Sequence, residues 1–175
     1  MRFAYYQRLS ERRKRTYRRS DAIEAVALPQ GEPFAPRIER MKDALRAERR
    51  GEVEAICQQL IDDLCARLQV SPLRVKVSNV RPSGQWGELH GLYTPAQGRA
   101  RAKIDVWMRT VARRQVVAFR SFLRTLLHEL CHYLDYELFG LDETFHTEGF
   151  YKRESDLFRR LAGGPAQGEL FAPAG

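Results

Sequence analysis

The sequence predicts an α+β fold, a small antiparallel sheet packed on helices, and three observations predict it. Apolar residues recur at helical steps around 53–68 and again from about residue 116. Between those stretches the apolar period drops to two, the spacing of a half-buried strand. Gly and Pro clusters stand where the period changes. With 175 residues, 43% of them hydrophobic, there is apolar material for one core.

Residues 1–36 read as a flexible basic arm. Arg2, Arg8, Arg12, Arg13, Lys14, Arg15, Arg18 and Arg19 face only Glu11, a net +7 of the chain's +8. Such a block attracts polyanions, chiefly nucleic acid, or is simply solvated. Pro29, Gly31, Pro33 and Pro36 then break the chain. The folded domain is expected over 37–162. Met41 and Leu45 belong to a first helical stretch that Gly51 is expected to interrupt. Val53, Ile56, Leu60, Leu64 and Leu68 form the apolar stripe of the next helix.

After Pro72, Leu73, Val75 and Val77 alternate with polar residues as a first strand. A second is expected over 88–93, and 94–98 has turn chemistry. Ala102, Ile104, Val106 and Met108 mark a third, so the three strands suggest an antiparallel meander. Phe119, Leu123, Leu126, Leu127, Leu130 and Leu134 then give a broad apolar face, as in a helix threading the core. Gly140 is placed to end that helix with positive φ, and Thr147 to cap the last one. Residues 163–175, rich in Gly, Pro and Ala, are expected to be disordered.

The chemistry concentrates in the core helix, at His128-Glu129-Leu130-Cys131-His132. Four residues apart on a helix, the two imidazoles share a face one turn apart and can converge on one Zn²⁺. Glu129 is turned about 100° from His128, suited to a metal-held water rather than to the metal. A catalytic zinc takes three protein ligands and keeps one position open. The third is His146, with Glu154 and then Glu148 as carboxylate alternatives. Asp135 shares the histidine face and suits either a carboxylate that orients a ligand or a plain surface salt bridge. Tyr133 and Tyr151 read first as packing aromatics and second as donors to a developing oxyanion. Cys131 points off that face as a buried small hydrophobe, and His90 reads as a surface histidine.

The stretch HELCHYLDY, the short gap, and His146 followed by Gly149-Phe150 resemble the zincin superfamily, and within it the SprT-like metallopeptidases. The resemblance spans roughly residues 70–162. It implies a minimal zincin-like fold, zinc on His128, His132 and His146, and Glu129 as the catalytic acid–base. The chain departs from the pattern in reading His-Thr-Glu-Gly-Phe, where relatives place the glycine directly after the histidine, and in lacking zinc-ribbon cysteines. Eukaryotic relatives act on proteins crosslinked to DNA. Gln167-Gly168-Glu169-Leu170-Phe171 resembles the peptide by which bacterial proteins dock on the replicative sliding clamp.

The expected function is therefore a zinc metallopeptidase cleaving protein or peptide substrates, with nucleic acid and the sliding clamp as further partners. The rival is a non-enzymatic nucleic-acid-associated module with a structural zinc, which would need a fourth protein ligand. A zinc hydrolase acting on a non-peptide bond is a third reading. Cys57, Cys65 and Cys131 lack paired spacings, no apolar h-region follows the basic start, and no stretch is apolar enough to span a bilayer. A cytoplasmic protein without a membrane partner is expected.

Overall fold

The computed structural model describes residues 3–163 apart from 85–86 and 111–114, with 83–84 and 87–88 described by their backbone only. Among the described residues the fold is α+β. A short 3₁₀ turn (Ala4–Arg8) precedes α1 (Glu11–Ala22), α2 (Ala35–Arg46) and α3 (Arg50–Leu68). Strands β1 (Arg74–Val80), β2 (Ser83–Gly84), β3 (Gly87–Glu88), β4 (Gly91–Thr94) and β5 (Lys103–Arg109) follow, then α4 (Phe119–Glu137) and α5 (Glu148–Ala162).

The main sheet is mixed, which corrects the expected antiparallel meander. Its order is β1-β5-β4, with β5 parallel to β1 and antiparallel to β4. Strand periodicity says which face is buried and nothing about direction. The stretch expected as one strand over 88–93 is divided, with β3 pairing β2 in a hairpin and β4 pairing β5. In β5, Ile104, Val106 and Met108 are buried and alternate with half-exposed residues. The helices cover that apolar face, α3 against β1 and α4 against β4 and β5.

The opposite edge of the sheet is closed by side chains. Along one face of α3, Arg50 donates to Val77 O (2.9 Å) and Glu54 accepts from Val77 N (2.9 Å). Gln58 accepts from Val75 N (2.8 Å) and donates to Leu73 O (3.0 Å). Spaced by four, these three residues satisfy backbone groups that an edge strand would otherwise present to another chain. That leaves β4 as the other edge.

Two boundaries differ from expectation. The break between α2 and α3 falls at 47–49, where Glu48 has φ 56°, and Gly51 sits inside the first turn of α3. Lacking competing side-chain contacts, Gly51 is tolerated near a helix start. Gly140 does carry positive φ (55°), and the Thr147 side chain accepts from Phe150 N (3.0 Å) as the cap of α5.

The larger correction concerns residues 1–36. The described part of this arm is folded onto the domain through an aromatic cluster of Tyr6, Leu9, Tyr17 and Phe145, separate from the main core. Several of its charges meet partners within the molecule. Arg12 pairs with Asp142 (3.3 Å), Arg13 with Glu143, and Lys14 with Glu11 (2.9 Å). Arg18 donates to Tyr6 Oη (2.8 Å) and Arg19 to Phe139 O (3.4 Å). Acidic partners 130 residues away are invisible to a local charge count, which is why the run read as a loose arm. The tail over 164–175, including 167–171, lies outside the described residues. No helix among the described residues is long and apolar enough to cross a membrane.

Candidate metal centre

Helix α4 is the backbone of the site. Phe122, Leu123, Leu126, Leu127, Leu130 and Leu134 are buried, which holds the helix immobile in the core and aims its polar stripe at one place. On that stripe His128 and His132 stand one turn apart, with Nε2 atoms 3.2 Å from each other. The loop after α4 returns His146 to them, its Nε2 3.0 Å from His128 Nε2 and 3.0 Å from His132 Nε2. The three rings thus converge as the spacing suggested, and they are the group of potential ligands that stands out among the described residues.

The outer nitrogens explain the orientation. His128 Nδ1 lies 2.9 Å from Glu154 Oε2, and Glu154 Oε1 accepts from Arg124 (2.8 Å). His132 Nδ1 lies 2.7 Å from Thr144 Oγ1, whose own proton goes to Asp135 Oδ2 (2.7 Å). A hydroxyl that donates to Asp135 must accept from the imidazole, so His132 carries its proton on Nδ1; the carboxylate of Glu154 assigns His128 likewise. Both Nε2 atoms then present lone pairs to one point. A proton on His146 Nε2 can serve only one of its two neighbours.

Lone pairs facing each other at this distance repel unless a cation lies between them. Two nitrogens on a tetrahedral zinc at about 2.05 Å stand about 3.3 Å apart, close to the separations here. The donor set therefore fits a small divalent ion. Burial, then the neighbouring His128 and His146, pushes His132 down to about 3, and burial lowers His146 as well. Both are held neutral at ordinary pH, the form a metal requires.

Glu129 leaves this face and turns toward β4. It is buried, which raises its pKa, while His128 and a hydrogen bond from the backbone amide of Tyr93 oppose the shift. Glu129 and His128 together line two clefts. One, of about 650 Å³, is walled by Leu89, His90, Arg124 and Tyr151. The other, of about 410 Å³, runs past Leu92, Tyr93, Tyr136 and His146. A further cleft of about 640 Å³ lies between Pro72, Arg74, Thr94 and Lys103, away from the histidines.

The remaining candidates are distributed as follows. Glu154 lies behind His128 rather than joining the three nitrogens. Glu148 is exposed and pairs with Lys152 (3.3 Å). Asp135 is fully buried and acts on His132 through Thr144. Tyr133 is buried and donates to Ser71 O, away from the cluster. Tyr151 is exposed, and its ring stacks 5.9 Å from that of His146. Cys131 is buried, with its thiol pKa raised by desolvation. His90 is exposed at the mouth of the larger cleft.

Three contributors were not expected from sequence. Arg153 had a signal: it lies on the apolar stripe of α5 with Phe150 and Leu157, where a guanidinium demands a buried partner. Its partner is Asp135, 2.7 Å away with neither side chain exposed. Thr144 sits in a loop and had no signal. Gly91 had none either, because its role depends on a helix packed across the strand. Comparisons with protein-family models, curated proteins and solved structures each found no match. Function therefore has to be argued from the chemistry of these side chains.

Proposed function

We propose that this chain is a zinc-dependent metallopeptidase, a zincin of the SprT-like kind. The observation that carries the reading is the meeting of three imidazole Nε2 atoms within 3.0–3.2 Å, two of them oriented by outer-nitrogen partners, beside a buried carboxylate left out of the cluster. A zinc ion held by His128, His132 and His146 would supply Lewis-acid chemistry, lowering the pKa of a water and polarising a carbonyl. With such an ion bound, Glu129, whose affinity for protons is raised by burial, would take the proton of the attacking water and return it to the departing amine. Tyr151, exposed with its ring against that of His146, is the proposed donor to the developing oxyanion.

Substrate geometry follows from the sheet. With the outer edge of β1 occupied by α3 side chains, β4 is the edge beside Glu129, and an extended peptide adds there as a further strand. The structural-zinc alternative needs a fourth protein ligand, and among the described residues Glu154 and Glu148 both have other partners. Nucleic acid stays a proposed partner of the basic run over residues 2–19, of which Arg12 and Arg13 pair with Asp142 and Glu143 at the surface.

Zinc content and hydrolysis of an unfolded protein substrate test the proposal together. The parent should hold one equivalent, and His146→Ala should lose most of it. Glu129→Gln should keep the metal while hydrolysis falls below detection. Turnover retained in Glu129→Gln would overturn the mechanism.

A further inference from the structure

The connection between α4 and α5 carries His146, yet residues 139–147 form no helix or strand of their own. What holds this connection is the start of the chain. Arg12 and Arg13 reach Asp142 and Glu143, and the Arg13 guanidinium also lies over the Phe145 ring, 5.5 Å from its centre. Tyr17, fully buried, packs on Phe145 with ring centres 5.8 Å apart. Tyr5 Oη donates to His146 O (3.3 Å), and Ser20 Oγ meets Thr147 Oγ1 at 3.4 Å. Asp21 accepts from Gly149 N (3.1 Å), where a Cβ would come within 2.4 Å of the Asp21 carbonyl oxygen.

A second route joins the same segment to His132. The buried Arg153 guanidinium donates to Ser20 O (2.6 Å), Ile23 O (2.5 Å) and Ser20 Oγ (3.1 Å), and also to Asp135 (2.7 Å). Asp135 holds Thr144, and Thr144 holds His132. The end of α1 is thus linked through Arg153, Asp135 and Thr144 to a ring on α4, and directly to the loop bearing His146.

We propose that residues 3–23 are a positioning element of the metal centre: they set the affinity for zinc by fixing His146 and bracing His132. The proposal rests on the metal reading above. A loop without secondary structure would have to be ordered when the ion binds, and that entropic cost lowers affinity. With the loop already clamped, ordering precedes binding. The basic run then serves as a clamp on an acidic loop.

The test uses the full-length chain and zinc itself. Arg12→Glu with Arg13→Glu turns two attractions into repulsions at exposed positions. It should weaken zinc binding, measured by chelator competition, by about three- to tenfold, as two exposed pairs on the loop contribute modestly each. It should also alter the visible spectrum of the cobalt-substituted protein, while the far-ultraviolet circular dichroism of the metal-free form stays that of the parent. Adding Asp142→Arg and Glu143→Arg restores the pairs with reversed polarity and should recover most of the affinity. Ser20→Ala, which removes the hydroxyl shared by Arg153 and Thr147, should move affinity the same way by a few-fold and stands in if the double variant fails to fold. Zinc affinity within twofold of the parent in folded variants, or a loss that the reversed pairs do not recover, overturns the proposal and leaves the metallopeptidase reading standing. A parent that binds no zinc sinks that reading, and this one with it.

Discussion

Gly91 leaves room for the Glu129 carboxylate. A Cβ at that position would lie 2.6 Å from Oε1, 2.7 Å from Cγ and 2.8 Å from Thr125 Cγ2, closer than real contacts allow. Since Glu129 is hemmed in by α4 and by the Tyr93 amide, Gly91→Ala must push it aside. Misplacing a reacting group by about an ångström can cost about a hundredfold in rate. Gly91→Ala should therefore lose hydrolysis on that order while zinc content is unchanged; kcat/KM within a few-fold of the parent would argue against Glu129 as the base. A second residue-scale effect comes from His132. Its pKa in the metal-free fold is about 3, against about 6.5 in an unfolded chain. Between those values the unfolded chain binds the extra proton, so acid favours unfolding. The melting temperature of metal-stripped protein should fall from pH 7 to pH 5, and His132→Gln should flatten that slope. A melting temperature independent of pH in the metal-stripped parent would contradict the burial assigned to this ring.

At the scale of elements, α3 carries a polar stripe and α5 a buried guanidinium, each with a structural consequence. Glu54 and Gln58 on α3 satisfy the edge of β1, and a hydrogen bond of this sort contributes about 0.5–1.5 kcal/mol. Glu54→Ala with Gln58→Ala should lower unfolding free energy by about 1–3 kcal/mol in urea titrations. The exposed edge should also promote association that rises with protein concentration. An unchanged midpoint with a monomeric variant would mean that water seals the edge equally well. On α5, Arg153 neutralises Asp135 where neither touches solvent. Arg153→Met strands a buried carboxylate and should cost about 3–5 kcal/mol, with Asp135→Asn recovering part of it. Additive losses in that pair of variants would show that the two side chains do not act together.

Across the whole molecule, legibility followed distance along the chain. The α4 motif, the Gly140 turn and the Thr147 cap were readable because each depends on residues within a few positions of one another. The pairing of β1 with β5 was not, since alternation is identical for parallel and antiparallel neighbours. Nor was the fate of the basic run. Eight cations within eighteen residues describe a loose arm until Asp142 and Glu143 are brought alongside. His146 stood between: its position suggested a third ligand beside Glu154 and Glu148, and only the fold brings its ring to those of His128 and His132 while the two carboxylates pair elsewhere.

By itself, the order of residues determined the α+β class, the helix that bears His128, Glu129 and His132, and the shared face of the two histidines, because a helical repeat is a property of local backbone geometry. Tertiary structure alone decided that His146 completes the triangle, that Glu154 and Thr144 meet the outer nitrogens of the other two rings, and that the end of α1 contacts the start of α5 next to His146. Those relations join positions from 12 to more than 120 residues apart, and only packing of the apolar faces brings them within bonding distance.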